Sequence, residues 1–307
     1  MKKKVLIIVG PTASGKSDLA IQLAKLAHGK QFKKLGINGA EIISADSRQV
    51  YKGLNIGSGK ITKPEMQGVK HHLLDVANPK KQFSASDFVM LTNLAIAKIV
   101  NNGKLPIVVG GTGFYIDALT GATTLPEVPP NKLLRSKLNK LDKEKLFKML
   151  KKKDPKRAKT IDKNNKVRMI RALEIIDALG QVPPYSLLPT PYSFTFIGLK
   201  PDNIDKKIRT RLEKRLPGII REIKRLHNPP AGGGLSWKRM FELGLEYRYI
   251  SLYVQGKLTR EEAVEKLFTE IRRYAKRQMT YWKKNRKIKW FEPNELKEIT
   301  QYLKTRI

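Results

Sequence analysis

The chain has 307 residues, 40% of them hydrophobic, enough for one large core or for a core domain with a smaller appendage. Lys and Arg number 62 against 27 Asp and Glu, a formal charge of +35; that excess is beyond the needs of solubility and points to a polyanion, above all nucleic acid, as partner. The absence of cysteine excludes disulfides, thiolate metal sites and a cysteine nucleophile, and the four histidines (His28, His71, His72, His227) are too scattered to form a metal site.

The apolar run in MKKKVLIIVG covers only residues 5–9, too short for a signal segment or a membrane span; it predicts a buried first strand and a cytoplasmic protein. GPTASGKS follows, and then DLAIQLAKLA, whose apolar residues recur at helical spacing. HGKQFKKLGING, with three glycines, reads as a polar loop, and EIISAD (41–46) as a second strand ending on a carboxylate. SASDFVMLTNLAIAKIVNNGK (84–104) opens with Ser/Asp caps and closes on Asn-Gly, both ends of a helix. LPIVVGGTGFYIDAL is a further strand running into glycines and a helix. Such repetition predicts an α/β fold with a parallel sheet flanked by helices, and GPTASGKS between its first strand and helix makes this a P-loop NTPase-like core.

Residues 126–191 differ in texture. Proline clusters, LPEVPP and QVPPYSLLPTP, bracket lysine-rich helical segments, and residues 131–180 hold 17 basic and 6 acidic side chains, a net +11. FTFIGL (194–199) then returns to the sheet, followed by helices over roughly 202–227, 236–254 and 260–284 with a break at NPPAGGG. The expected organisation is a core of residues 1–125 and 192–307 carrying a helical, basic insertion at 126–191.

GPTASGKS comprises Gly10, Pro11, Thr12, Ala13, Ser14, Gly15, Lys16 and Ser17, and matches G-x-x-x-x-G-K-[ST] between a strand and a helix. The glycines let successive N–H groups converge on phosphate oxygens, and the helix N-terminus adds partial positive charge. Lys16 supplies a point charge, and the Ser17 hydroxyl is placed to ligate Mg²⁺. A nucleoside triphosphatase places a metal-binding acid at the end of a later strand. Here LPIVVGG ends in Gly110-Gly111-Thr112-Gly113 instead, bare N–H groups and a hydroxyl that suit an anion. The acid at a strand tip is Asp46, a candidate proton acceptor; capping of the next turn and Mg²⁺ binding are the other roles open to it.

GPTASGKS, ISADSRQVYKGLNIGSGK, HHLLDVANP with FSASDF, PIVVGGTGFYIDAL, NNKVRMIRALEI, RLEKRL and RRYAKRQMTYWKK, in this order, resemble the tRNA dimethylallyltransferase (tRNA isopentenyltransferase) family along most of the chain. The resemblance implies transfer of a dimethylallyl group from dimethylallyl diphosphate to N6 of the adenosine 3′ to the anticodon (adenosine-37), with Mg²⁺ assisting and pyrophosphate leaving. It further implies Asp46 as general base, Lys16, Ser17 and Thr12 on the diphosphate or its metal, Thr112 at the leaving oxygen, and Arg215 balancing diphosphate charge. The tRNA anticodon stem-loop is expected to meet Asp46, Ser47, Arg48 and Gln49, Arg135, and Val167, Arg168, Met169, Ile170 and Arg171, with Gly244, Tyr247 and Arg248 as further contacts. FELGLEYRYI carries an extra Glu246 where relatives show Gly-Tyr-Lys or Gly-Tyr-Arg, and the loop at 29–40 is about ten residues longer than is usual in the family. His71 and His72 are expected to be structural. No cysteine-bearing C-terminal finger of the kind found in some eukaryotic relatives follows, which implies a bacterial-type enzyme, expected to be a monomer.

The nine basic residues of 272–290, interleaved with Tyr274, Tyr281, Trp282 and Trp290, suit RNA phosphates and splayed bases, although an amphipathic helix with core aromatics has the same pattern. Three other functions are set against the tRNA enzyme: an adenylate isopentenyltransferase acting on free nucleotides, a P-loop small-molecule kinase, and a non-catalytic RNA-binding module. The +35 charge favours RNA over a mononucleotide, GGTG argues against the kinase, and the intact phosphate loop with Asp46 argues against a mere binding module.

Overall fold

The computed structural model describes residues 2–183, 190–230 and 232–307; the QVPPYSLLPTP cluster and the NPPAGGG break lie partly outside the described residues. Two compact units form, one of Met1–Thr120 with Thr190–Ile307, the other Gly121–Pro189.

The first half of the larger unit runs β1 (Lys3–Val9), α1 (Lys16–Leu26), α2 (Lys30–Lys33), β2 (Ala40–Ser44), α3 (Lys63–Met66), β3 (His71–His72), α4 (Ala85–Asn101), β4 (Leu105–Val109) and α5 (Gly113–Leu119). The smaller unit holds α6 (Lys132–Asn139), α7 (Lys143–Lys153), α8 (Pro155–Thr160) and α9 (Lys166–Leu179). The larger unit resumes with β5 (Tyr192–Leu199), α10 (Ile204–His227), α11 (Trp237–Leu243), α12 (Leu245–Val254), α13 (Arg260–Trp282), β6 (Ile288–Phe291) and α14 (Leu296–Lys304).

Among the described residues six strands form one parallel sheet in the order β3-β2-β4-β1-β5-β6. The continuous apolar run of β1 is explained by burial on both faces. Leu6 and Ile8 pack with α1 and α14, while Val5, Ile7 and Val9 pack with α4, α5 and Trp282 of α13. A third core joins α10 to α13 with Val50, Tyr51 and Leu54, the stretch that follows β2. Capping boxes start two of the long helices, Ser84 with Asp87 at α4 and Thr259 with Glu262 at α13. Each such cap contributes about 1 kcal/mol.

Three local expectations change. The helix expected over 236–254 is two helices, because Gly244 (φ 78°, ψ −177°) adopts a backbone open essentially to glycine alone. The loop at 29–40 contains the short helix α2, and β3 and β6 are strands too short to show periodicity. His72 Nε2 pairs with buried Glu41 at 2.7 Å, and Lys104 Nζ meets the same carboxylate at 2.8 Å; this cluster ties the edge strand to β2 and places His72 as structural.

In the smaller unit, Leu138, Leu146, Leu150, Met169, Ile170, Leu173 and Ile176 make the core, and the lysines of α7 are left on the surface. Glu174, 1% exposed, receives Arg135 at 2.7 Å and Arg171 at 2.5 Å together with the Asn131 N–H at 2.6 Å. Burial opposes its ionisation, but the two guanidiniums and the N–H outweigh that and bring the carboxyl pKa down to about 2.

Candidate active site

The C-terminal ends of β1, β4 and β2, three adjacent strands, deliver three turns to one edge of the sheet, where open α/β sheets bind ligands. After β1 comes the Gly10–Ser17 turn. Gly10 (φ 148°) has no room for a side chain, since a Cβ would lie 2.7 Å from the Leu199 carbonyl oxygen. Gly15 (φ 83°) leads into α1 at Lys16, and Ala13 holds a left-handed φ of 59° that non-glycine residues rarely adopt. Lys16 folds back into the turn, Nζ donating to the Pro11 carbonyl at 2.5 Å and the Ser14 hydroxyl at 3.3 Å. Desolvation lowers its pKa to about 7, the Asp46 charge opposing and the Arg211 charge adding to the shift. A lysine this depressed gains strongly from an anion placed beside it.

After β4, the backbone of Gly110 runs against Ala45 beyond β2, that of Gly111 against Gln278 of α13, and that of Gly113 against Tyr281; a Cβ at any of the three would overlap its neighbour. Close approach explains these glycines. Thr112 Oγ1 accepts the Ser47 N–H at 3.2 Å and so ties this turn to the Asp46 turn. Asp46 Oδ1 accepts the N–H groups of Arg48 (2.7 Å) and Gln49 (3.2 Å), whereas Oδ2 makes no hydrogen bond among the described residues. Capping thus occupies one carboxylate oxygen and leaves the other unshared. The Asp46 charge acts on Lys16 and on the phenols of Tyr115 and Tyr274; burial raises the pKa of both phenols and Asp46 adds to the rise.

Not every expected residue is free to act. Arg215 donates Nη2 to the Ile56 and Gly57 carbonyls and lies 3.9 Å from Glu246. Burial raises the Glu246 pKa, while Arg215 and then Arg211 oppose the rise and Asp46 adds to it. Arg211, four residues before Arg215 on the same helix face, is the guanidinium whose charge reaches Lys16; the sequence reading passed over it although the two-arginine spacing was visible. Arg48 and Gln49 brace the turn, to the Leu243 carbonyl (2.6 Å) and the Gly59 carbonyl (3.3 Å) respectively.

The expected tRNA contacts divide by exposure. Val167 and Arg168 are exposed, but Met169 and Ile170 are core residues of the smaller unit, at 0% and 5% exposure, so their side chains cannot meet RNA. Arg135 and Arg171 spend much of their charge on Glu174. Tyr247 is likewise interior: a hydroxyl bond to Glu222 at 2.9 Å joins it to the carboxylate that receives the Asn55, Ile56 and Gly57 N–H groups. Arg248 caps the Phe241 carbonyl at 3.0 Å and covers the Phe241 ring. Of the aromatics in 272–290, Trp282 is core and Tyr281 is hydrogen-bonded to Asp117, while Tyr274 and Trp290 are half-buried.

Among the described residues no cluster of three His, Cys, Asp or Glu could hold a metal, and no helix is long and apolar enough to cross a membrane. Ser17 Oγ is exposed and makes no hydrogen bond within the described protein, which fits a cation bound chiefly by anion oxygens and water.

A parallel sheet whose central strand feeds a G-x-x-x-x-G-K-[ST] turn, with an unshared carboxylate oxygen two strands along, defines an α/β protein of the P-loop type. The IPP transferase family model matches residues 49–285, and the chain belongs to that family. The tRNA dimethylallyltransferase of Anoxybacillus flavithermus is 38% identical over 301 residues, 95% of this chain and 91% of its own, and that of Bacillus subtilis is 36% identical over 302 residues with the same coverage. The crystal structure of the tRNA isopentenylpyrophosphate transferase of Bacillus halodurans superposes with a TM-score of 0.70 at 34% identity, covering 99% of this chain and 97% of that one. A eukaryotic dimethylallyltransferase captured acting on tRNA gives 0.77 at 25% identity, with 99% and 80% covered.

Proposed function

We infer that this protein transfers a dimethylallyl group from dimethylallyl diphosphate to N6 of the adenosine 3′ to the anticodon of tRNA, releasing pyrophosphate. One observation carries this reading: the phosphate turn after β1 and the free Oδ2 of Asp46 after β2 share one sheet edge, flanking the β4 turn whose Thr112 bonds the Asp46 turn, with no metal-binding acid at the β4 tip. An allylic C–O bond ionises readily because the cation is delocalised, so the main task is to receive the negative charge of the departing diphosphate. Lys16, the Arg211 guanidinium whose charge reaches it and the N-terminus of α1 supply positive charge there. As the N6–C bond forms and the C–O bond breaks, Asp46 Oδ2 accepts the N6 proton. Thr112 steadies the leaving oxygen, and Ser17 would hold a Mg²⁺ that would offset further negative charge. Reaching this edge requires the adenosine to leave its stack in the anticodon loop.

The +35 charge, the exposed lysines of α7 and the basic residues of α13 suit an RNA backbone and are superfluous for a mononucleotide. The discriminating experiment offers labelled dimethylallyl diphosphate with unmodified tRNA or with AMP. Label is expected in tRNA nucleosides alone, with an apparent tRNA affinity that falls steeply as salt is added. Label in AMP would establish the free-nucleotide enzyme instead, and ATP consumption without prenyl transfer would establish a kinase.

A further inference from the structure

Gln278 lies on α13, 6% exposed, between two of the three substrate turns. Its Oε1 accepts the Thr12 N–H of the phosphate turn at 2.8 Å, and its Nε2 donates to the Gly111 carbonyl of the β4 turn at 3.0 Å. An N–H can only donate and a carbonyl only accept, so these partners fix the amide orientation. From Gly111 the connection continues through Thr112 Oγ1 to the Ser47 N–H, beside Asp46. The glycine at 111 exists for this contact, because a Cβ there would overlap Gln278 Nε2. The helix is a rigid base for it: Trp282, one turn on, is 1% exposed in the core, and Tyr281 lies against Gly113 and bonds Asp117.

We propose that Gln278 is a positioning residue that fixes the spacing between the diphosphate turn and the proton acceptor Asp46. The inference rests on the transfer reading above. Gln278 touches neither reacting group; it engages the Thr12 N–H, withholding it from phosphate, and so sets where the remaining donors of the turn point. Its effect falls on the rate of transfer more than on binding, since a misplacement of about 1 Å between reacting groups costs on the order of 10²-fold.

The test uses the full chain with Gln278→Met, similar in length but without either hydrogen bond, and Gln278→Glu. Gln278→Met is expected to lower kcat by about 10- to 100-fold, with a smaller rise in the KM for dimethylallyl diphosphate and with tRNA affinity and melting temperature near native. In Gln278→Glu the ionised carboxylate still accepts the Thr12 N–H but has no proton to donate to the Gly111 carbonyl, so kcat should fall here as well. Native kcat in Gln278→Met or in Gln278→Glu, or a loss that only tracks melting or tRNA affinity, overturns the proposal. Lys16→Ala run alongside separates the two readings. If Lys16→Ala is impaired and Gln278→Met is native, only the positioning role fails; if both transfer at native rate, the diphosphate reading itself fails.

Discussion

Replacing Asp46 by asparagine is expected to cut single-turnover prenyl transfer by about 10²–10⁴-fold while tRNA affinity and folding stay near native. The structure makes asparagine the informative choice. Its side-chain oxygen can still accept the Arg48 and Gln49 N–H groups that Asp46 Oδ1 accepts, so the turn survives and only the basic oxygen is lost. Asp46→Ala removes the cap as well and should cost about 1 kcal/mol of stability on top of the same kinetic loss. Quench-flow transfer rates measure the kinetic loss, filter binding of tRNA serves as control, and urea denaturation measures the stability difference. A native rate in Asp46→Asn would remove Asp46 from the chemistry.

Lys16→Ala carries the second large effect, a fall in kcat/KM for the diphosphate donor on the order of 10³-fold, because the lysine both binds the ground state and meets charge as it develops. Its depressed pKa adds a pH signature. In the free protein desolvation holds Lys16 near 7, so above that pH much of it is neutral. A bound diphosphate favours the charged form and raises the pKa, so binding takes up a proton and donor affinity weakens as pH rises above about 7. Donor affinity measured by calorimetry across pH should show this decline in the native protein. In Lys16→Ala the slope should shrink to that of the donor's own titration; an identical slope in both would contradict the role given to Lys16.

Much of this site was legible where chemistry and chain order coincide. Gly10–Ser17 shows itself by spacing between a strand and a helix, and Asp46 by ending an apolar strand. What escaped the sequence were partners far apart along the chain. Gln278 bonds Thr12 from 266 residues away, and Glu222 holds the Asn55–Gly57 N–H groups from more than 160 residues away; no local pattern encodes either contact. Other misses had a usable signal. Met169, Ile170, Leu173 and Ile176 follow helical periodicity, which marks the first two as core even though they stand inside a motif assigned to RNA. Tyr247 is buried by its bond to Glu222, and a tyrosine beside an arginine in a short motif reads the same whether it faces RNA or the interior. In the sequence alone, Gly110, Gly111 and Gly113 look like a set of open N–H groups for an anion. Its glycines answer instead to the close approach of Ala45, Gln278 and Tyr281.

The most direct measurement is a crystal structure of the protein with a non-ionisable analogue of dimethylallyl diphosphate and an anticodon stem-loop. The diphosphate should lie in the Gly10–Ser17 turn with Lys16 Nζ turned onto it, and the extruded adenosine N6 within hydrogen-bond distance of Asp46 Oδ2. A diphosphate bound elsewhere, or an adenosine that leaves Asp46 Oδ2 facing solvent while another group contacts N6, would contradict the account.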